Sequence, residues 1–312
     1  MNPPVLQIAR LSGPSEEKIN ARLNVTLLAS QPNPDEFLKT RGHEFQAVIT
    51  TAPVGASAEL MAKLPNLKVV ACRGIGVEKV DLDYARAHGI AVSCTPDVLT
   101  DCVADLAIGL IIDTARGMTA SDRYVRAGRW PSGNFPLATK VSGKKLGILG
   151  LGKIGKAIAK RAEAFDMDIR YHNRRPATDC SYTYASSMLE LATWADFFMV
   201  AVDGGPQTRN LVTKDVIHAI GPTGFIFNIS RGTVIDEAAL IEALQNKTIA
   251  GAGLDVFVNE PNINPAFFTM DNVVLIPHTG SGTVETRGAM EGLILENIES
   301  FFSTGKLVTP VM

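Results

Sequence analysis

The chain has 312 residues, and at about 150 residues per domain this length predicts two domains. Its 30 basic and 32 acidic residues give a formal net charge of −2, and no Lys/Arg block occurs, which argues against a protein that binds nucleic acid. The longest apolar runs, such as 106–112, are too short to span a bilayer, so no membrane partner is expected. No signal-peptide pattern opens the chain and the four cysteines are scattered without a CxxC, which favours a cytoplasmic protein with reduced thiols.

Short apolar runs alternate with helix-length segments through the first hundred residues. Strands are predicted at Val5–Ala9, Val25–Leu28, Ala47–Thr50, Lys68–Cys72 and Ile90–Ser93, with helices at Ser57–Lys63 and Asp81–His88. This βαβ alternation implies right-handed crossovers and a parallel sheet. A long helix, apolar on most faces, is predicted next at Thr100–Met118.

A second series of strands and helices follows the polar stretch at 127–134. Strands are predicted at Lys145–Leu149, Met167–Tyr171, Phe197–Val202, Gly224–Ile229, Gly251–Val256 and Val273–Ile276, with helices at Lys153–Phe165 and Val284–Phe302. The closing helix, with Gly305 as its C-cap, has no strand of its own and is expected to return to the first unit. We therefore expect an α/β fold with a discontinuous outer domain, 1–98 with 284–312, and an inserted domain, 99–283.

A glycine-rich turn stands between the predicted strand at 145–149 and the helix that follows it. Gly150, Gly152 and Gly155 form G-x-G-x-x-G. The first glycine permits the tight turn, the second lets the backbone approach a pyrophosphate, and the third lets the helix pack on the strand. Although an ordinary βα turn could share these letters, the flanking strand and helix predict a dinucleotide site with the phosphates at the helix N-terminus.

The end of the next strand bears on the choice of dinucleotide. NAD-binding domains carry an Asp or Glu there, but this strand runs into Asn173-Arg174-Arg175, and Asp168 stands too early. A carboxylate would repel a 2′-phosphate, whereas guanidinium groups bind one in a bidentate manner. The sequence therefore predicts a preference for NADP(H) over NAD(H), with a solvated arginine loop as the alternative.

Three polar residues follow three predicted strands at their carboxyl ends. Arg231 comes after the strand at 224–229, Glu260 after 251–256, and His278 after 273–276. Because ligands of open α/β sheets bind at the carboxyl ends of the strands, these side chains can converge on one crevice. Alone, His278 could equally be a capping or core histidine; together the three residues predict a catalytic site without a metal.

These motifs resemble the D-isomer-specific 2-hydroxyacid dehydrogenase family over essentially the whole chain. The matching segments are 147–155, Asn228-Ile-Ser-Arg-Gly232, 251–257, Glu260-Pro261, Pro277-His278, 95–100 and 103–109. The resemblance is strongest to NADPH-linked glyoxylate/hydroxypyruvate reductases and to hydroxyphenylpyruvate reductases. These enzymes share the sequence Asn173-Arg-Arg-Pro176 at the position where NAD-binding domains carry the acidic residue. It implies two doubly wound parallel-sheet domains: a flavodoxin-like substrate domain and an inserted Rossmann dinucleotide-binding domain.

The resemblance also implies a role for each candidate residue. Arg231 would bind the ketoacid oxygens and polarise the C2 carbonyl, His278 would donate a proton to the developing alkoxide, and Glu260 would orient the imidazole. Ile75 and Gly76 would bind the substrate carboxylate through backbone N–H groups, unless that segment is a simple turn. Contacts with the cofactor are implied for Thr100, Gly150, Gly152, Lys153, Ile154, Gly155, Asn173, Arg174, Arg175, Ile229, Arg231, Asp255, His278 and Gly280.

Several alternatives remain within this interpretation. Asp255 would bind the nicotinamide carboxamide or cap a loop, and Arg73 would draw in the substrate carboxylate or face solvent. The aromatic 2-ketoacid reductases differ only in pocket size, and a dinucleotide-sensing regulator is a third possibility. Phosphoglycerate dehydrogenase is less favoured, because the sequence ends at Met312 without the extension of many such enzymes. A homodimer is expected, centred on the helix at 100–118 and the segment to Trp130.

Overall fold

In the computed structural model, which describes residues 3–11 and 13–311, the first hundred residues form a regular α/β series. Its elements are β1 (Pro4–Gln7), α1 (Gly13–Arg22), β2 (Asn24–Leu27), α2 (Pro34–Arg41), β3 (Ala47–Thr51), α3 (Ala58–Ala62), β4 (Val69–Arg73), α4 (Leu82–Ala87) and β5 (Ala91–Ser93). The strands pair in parallel in the order β2-β1-β3-β4-β5, which is the flavodoxin-like order.

The remainder of the chain builds a second, larger sheet and ends in a long helix. Its elements are α5 (Thr100–Arg116), α6 (Met118–Arg126), β6 (Lys145–Leu149), α7 (Lys153–Glu163), β7 (Asp168–His172), β8 (Thr183–Tyr184), α8 (Met188–Trp194), β9 (Phe197–Val200), α9 (Lys214–Ile220), β10 (Phe225–Asn228), α10 (Glu237–Gln245), β11 (Gly251–Leu254), β12 (Val273–Leu275) and α11 (Val284–Thr304). The parallel order β12-β11-β10-β9-β6-β7-β8 contains the Rossmann arrangement, with the direction of strand addition reversing between β6 and β9.

The chain separates into two compact units. One contains 1–99 and 283–312, and the other contains 100–282. Each sequence-derived boundary differs from the structural one by a single residue. The doubly wound α/β class expected from the sequence, with two parallel sheets, is confirmed.

Helix α11 belongs to the first unit and covers one face of its sheet. Ile294 and Ile298 of this helix share a buried cluster with Val5, Ile49 and Val69. The alternate residues of the same strands point to a second cluster on the opposite face. Because both faces are buried, the strands read as nearly continuous apolar runs. The expected return of the closing helix to the first unit is confirmed, and the predicted cap Gly305 has a φ of +75°.

The long helix predicted at 100–118 is wrong at its carboxyl end. It stops at Arg116, and Gly117, with a φ of +60°, separates it from α6. Asp113 stabilises the break, because its carboxylate accepts hydrogen bonds from Thr119 N at 2.7 Å and from Thr119 Oγ1 at 2.5 Å. A single glycine in a helical pattern is tolerated often enough that the sequence did not reveal this break.

Helix α5 is held against α7 by charged side chains. Arg161 of α7 binds Asp101 at 2.9 Å and Asp105 at 2.6 Å. The apolar residues of α5 pack on α7 and on β10 to β12 within their own unit. Asp101 and Asp105 therefore link α5 to α7 through Arg161.

Two properties bear on the environment of the protein. In the described residues, no helix combines the length and apolar character needed to cross a membrane. Cys72, Cys94, Cys102 and Cys180 form no disulfide. The cytoplasmic location expected from the sequence stays a prediction.

Candidate active site

The glycine-rich turn between β6 and α7 is close-packed at two of its three glycines. A Cβ on Gly150, whose φ is +101°, would lie 2.7 Å from the backbone of Ala201, and one on Gly155 would lie 2.2 Å from Gly150 O. In contrast, a Cβ on Gly152 would meet nothing within 4 Å. The turn therefore needs Gly150 and Gly155 for its own packing and leaves open space at Gly152, where Lys153 and Ile154 begin α7.

Asn173 links the end of β7 to this turn. Its Oδ1 accepts a hydrogen bond from Leu151 N at 2.7 Å, and Gly150 N donates to His172 O at 3.0 Å. The Tyr184 hydroxyl donates to Asn173 O at 3.1 Å. The side chain of Asn173 thus shapes the glycine-rich turn, a role that the sequence did not reveal.

The two arginines that follow Asn173 remain available to a ligand. Arg174 and Arg175 are exposed, and neither forms a hydrogen bond or ion pair with another described residue. The next carboxylate along the chain, Asp179, is bound by Lys156 at 2.5 Å. Asp168 is the first residue of β7 and so lies at the strand end remote from the turn. The charges therefore suit an anion beside the turn.

His278 follows β12 in an unusual backbone conformation. Its φ is +52°, in the left-handed region that residues other than glycine rarely adopt. The amide N–H of His278 donates to Asp255 O at 2.9 Å and to Ile276 O at 3.0 Å. These hydrogen bonds fix the backbone, so the ring leaves the chain in a set direction.

Glu260 hydrogen-bonds the ring of His278, which is the contact that the family resemblance implied. Glu260 Oε2 lies 2.5 Å from His278 Nδ1, and Oε1 accepts from Phe257 N at 2.9 Å. Burial raises the pKa of Glu260, but the hydrogen bond and charge of His278, the Phe257 N–H and the charge of Arg231 together lower it below its ordinary value. The carboxylate is therefore ionised at neutral pH, and Nδ1 donates to it. No described residue bonds Nε2, which is left for proton transfer.

The carboxylate of Asp255 binds the backbone of the loop that contains His278. Oδ1 accepts from Thr279 N at 2.7 Å, and Oδ2 accepts from Gly280 N at 2.9 Å. Burial raises the pKa of Asp255, although these two N–H groups and His278 act in the opposite direction. The loop-capping alternative is thus present in the structure, while the binding of nicotinamide stays a prediction. Gly280 N–H is directed at Asp255.

Arg231 stands on a turn that its neighbours hold rigidly. Asn228, at the end of β10, accepts from Ser230 N at 3.0 Å and donates to Arg231 O at 3.0 Å. A Cβ on Gly232 would lie 1.9 Å from the carbonyl carbon of Phe257, so only glycine fits there. Arg231 is partly exposed, and its charge acts on Glu260. The buried Asn228 was part of the recognised motif, but its role depends on partners in a turn that sequence reading did not resolve.

The adjacency of three strands gathers these groups. Since β10, β11 and β12 are neighbours in a parallel sheet, their carboxyl ends lie at one edge. The structure thus brings Arg231, Asp255, Glu260 and His278 together. Ile229, 8% exposed, directly follows β10, and Thr100 begins α5.

The turn at Gly74–Gly76 belongs to the first unit. Gly74, with a φ of +130°, is fixed by hydrogen bonds with Thr95, whose Oγ1 accepts from Gly74 N at 2.9 Å and whose N donates to Gly74 O at 2.9 Å. Within the described part of the chain, Ile75 N and Gly76 N have no acceptor. This turn therefore offers two backbone donors for an anion.

Similar proteins resolve the family. Residues 108–280 match the NAD-binding domain of the D-isomer-specific 2-hydroxyacid dehydrogenases. The chain is 45% identical over 308 residues to glyoxylate/hydroxypyruvate reductase A of Arabidopsis thaliana, covering 99% of this chain and 98% of that protein. It is 44% identical over 308 residues to hydroxyphenylpyruvate reductase of Plectranthus scutellarioides, with the same coverage. The chain belongs to the D-isomer-specific 2-hydroxyacid dehydrogenase family.

A solved member of the family has the same fold. The NADPH-dependent glyoxylate/hydroxypyruvate reductase of Sinorhizobium meliloti, in complex with NADP and malonate, superposes with a TM-score of 0.90 at 39% identity, covering 100% of this chain and 97% of that one. The present family member is an oxidoreductase that acts on CH–OH groups and contains an NAD-binding domain. A purely regulatory, non-enzymatic role is therefore not supported.

Proposed function

We propose that this dehydrogenase reduces a small 2-ketoacid, glyoxylate or hydroxypyruvate, to the D-2-hydroxyacid with NADPH. The hydrogen bond of 2.5 Å between Glu260 and His278 Nδ1 carries the proposal. It orients the ring, leaves Nε2 for proton transfer, and stands beside Arg231 at the carboxyl ends of adjacent strands. Such a set provides both an acid and a cation for a carbonyl group.

The chemistry divides between the cofactor and three side chains. The reduced nicotinamide, when bound, supplies a hydride to C2 of the ketoacid. Arg231 binds the carbonyl oxygen and stabilises the negative charge that develops on it. His278 Nε2 gives its proton to that oxygen, and the ring then recovers a proton from solvent. Glu260 stabilises the protonated ring until transfer and fixes its orientation.

The residues around the glycine-rich turn fit a phosphorylated dinucleotide. Open space at Gly152 and the start of α7 suit the pyrophosphate, and Arg174 and Arg175 suit a 2′-phosphate. The similar Sinorhizobium enzyme is NADPH-dependent. We propose that Asp255, Thr100 and Ile229 add contacts with the nicotinamide end, and that the turn at Ile75 and Gly76 binds the ketoacid carboxylate through its backbone N–H groups.

Hydroxyphenylpyruvate is the second candidate substrate. The Plectranthus hydroxyphenylpyruvate reductase is 44% identical to this chain, against 45% for the Arabidopsis glyoxylate/hydroxypyruvate reductase, so sequence identity does not separate them. Both reductions use the same acid and cation, and the two substrates differ in the size of the group beside the carbonyl. A rate panel of small and aromatic 2-ketoacids distinguishes them.

The first prediction tests the activity itself. The absorbance of NADPH should fall when the protein meets glyoxylate or hydroxypyruvate. His278→Gln should lower kcat by about 10²–10⁴-fold, the usual contribution of a general acid. Binding of NADPH, measured by fluorescence titration, should survive, because its phosphates are assigned to 150–155. Absence of turnover with every small and aromatic 2-ketoacid would contradict the proposal.

The second prediction concerns the choice of cofactor. Replacing both Arg174 and Arg175 by Ala should raise the KM for NADPH tenfold or more, because each charge-assisted hydrogen bond contributes roughly 1.5–3 kcal/mol and about 1.4 kcal/mol is a factor of ten. The KM for NADH should barely change. Arg86→Ala, at an exposed arginine of the first unit, is the control. Equal losses with both cofactors would refute the assignment.

The third prediction concerns pH. Glu260→Gln removes the negative charge that stabilises the protonated ring of His278, which reduction requires. The basic limb of the kcat/KM profile for the ketoacid should therefore move down by about one pH unit or more. Activity at acidic pH should be less affected. Glu242→Gln, at an exposed glutamate paired with Lys214, should leave the profile unchanged. An unmoved basic limb would mean that Glu260 does not act on the proton.

The fourth prediction is a homodimer. The apolar faces of α5 are largely buried within its own unit, so the helix itself is weaker support than the sequence suggested. Stronger support comes from the segment after it, where Met118, Val125, Trp130 and Leu137 are 51–104% exposed. Light scattering at micromolar concentration should give twice the chain mass, and Trp130→Glu should lower it. A monomeric native protein would contradict this prediction.

A further inference from the structure

Arg73, the last residue of β4, is largely withdrawn from solvent despite its charge. Its side chain is 12% exposed. Of the two alternatives that the sequence left open for this residue, an arginine that faces solvent is therefore wrong. A charged side chain withdrawn from water normally has a full set of hydrogen-bond partners.

The partners of Arg73 do not satisfy its N–H groups. The closest carboxylate oxygen, Glu291 Oε1 on α11, lies 3.8 Å from Arg73 Nη1, which is too long for a hydrogen bond. Among the described residues, the buried atoms Arg73 Nε and Glu291 Oε1 both lack a hydrogen-bond partner. Glu291 is only 2% exposed. The carboxylate of Glu291 thus balances the charge of the guanidinium without a hydrogen bond, and the Nε–H group of Arg73 has no acceptor among the described residues.

Burial and the positive charge of Arg287 favour the binding of an anion to this guanidinium. Burial lowers the pKa of Arg73 to about 10, the positive charge of Arg287 adds to this effect, and Glu291 opposes it. Arg73 is therefore charged at neutral pH, but less stably than a solvated arginine. An oxyanion that bound the guanidinium would replace lost water and offset the repulsion from Arg287.

Arg73 lies two residues before Ile75, the first of the two backbone donors of the turn. Gly74 is fixed to Thr95, while Ile75 N and Gly76 N have no acceptor among the described residues. Two sets of donors, a pair of backbone N–H groups and a guanidinium, therefore stand within four consecutive residues of the first unit. The backbone pair suits one carboxylate, and the guanidinium can hold a second oxyanion.

We propose that Arg73 binds a second acidic group of the ketoacid, so that the substrates include 2-ketodicarboxylic acids. This inference rests on the proposed function, which assigns the first carboxylate to the turn at Ile75 and Gly76. Glu291 limits the strength of the site, because its charge competes with the ligand for the same guanidinium. Arg73 therefore determines specificity and takes no part in the transfer of the proton.

Calorimetric titration separates this subsite from turnover. The probes are 2-ketoglutarate and oxaloacetate, each compared with its monomethyl ester at the remote carboxyl, added to protein saturated with NADP⁺ so that no reduction occurs. At least one diacid should bind the native protein about tenfold more tightly than its ester, since about 1.4 kcal/mol from one charge-assisted contact gives that factor. In Arg73→Gln the ratio should fall to about one to two, with the affinity for the ester nearly unchanged.

Two further variants make the test independent of how well Arg73→Gln folds. Glu291→Gln removes the competing charge and should increase the preference for the diacid, the opposite direction to Arg73→Gln. Arg86→Gln, at an arginine 64% exposed and paired with Asp83, should change neither affinity. A purely structural role of the Arg73–Glu291 pair would weaken diacid and ester alike in both variants.

The outcomes distinguish the inference from the proposed function. Equal binding of diacid and ester to the native protein, or a ratio that Arg73→Gln and Glu291→Gln leave unmoved, would overturn the role of Arg73. An equal loss for diacid and ester in Arg73→Gln, whether it comes from a structural role or from contact with the first carboxylate, would overturn it too. If no ketoacid is reduced with NADPH, the proposed function fails, while the binding ratio still decides the subsite.

Discussion

The carboxylate of Asp255 holds the loop on which the candidate chemistry depends. Asp255 is 2% exposed, and its carboxylate accepts hydrogen bonds from the N–H groups of Thr279 and Gly280. Its backbone carbonyl oxygen accepts a third hydrogen bond, from His278 N. Three hydrogen bonds that Asp255 accepts thereby keep His278 at a φ of +52°. A conformation that is unfavourable in isolation persists only where the surroundings over-determine it, and here they aim the imidazole at Glu260.

The parallel sheet supplies the second constraint. Side chains from β10, β11 and β12 meet because parallel neighbours end at the same edge, where backbone pairing stops and polar groups are free to face a ligand. Close backbone contacts set the spacing of the loops at that edge. Gly232 lets its turn approach the backbone of Phe257, whose N–H in turn binds Glu260. Arg231 and Glu260 are therefore positioned by one junction between two strand ends.

The cofactor end of the same unit follows a similar logic. Asn173 ties the end of β7 to the glycine-rich turn, so the residues after it begin from a fixed point. Asp179 is the first carboxylate after Arg174 and Arg175 in the sequence, and it is paired with Lys156. It therefore does not compete with a phosphate for the two arginines. The arginines at 174 and 175 stay exposed beside that turn. We therefore expect the choice of cofactor to depend on a few side chains in the loop after β7, whose starting point the sheet fixes.

The sequence alone determined the fold class, the glycine-rich turn and the three polar strand ends, because strand periodicity and turn chemistry are written in neighbouring residues. It placed the strand ends less well: the predicted strand at 197–202 stops at Val200, since apolar residues continue into the loops after backbone pairing has ended. Only the tertiary structure decided that Gly117 breaks a helix, that Asp255 caps the loop after β12, and that Arg73 is largely shielded from solvent beside Glu291. Each of those outcomes depends on which distant side chain or backbone group satisfies a polar atom, and a single sequence does not record such partners.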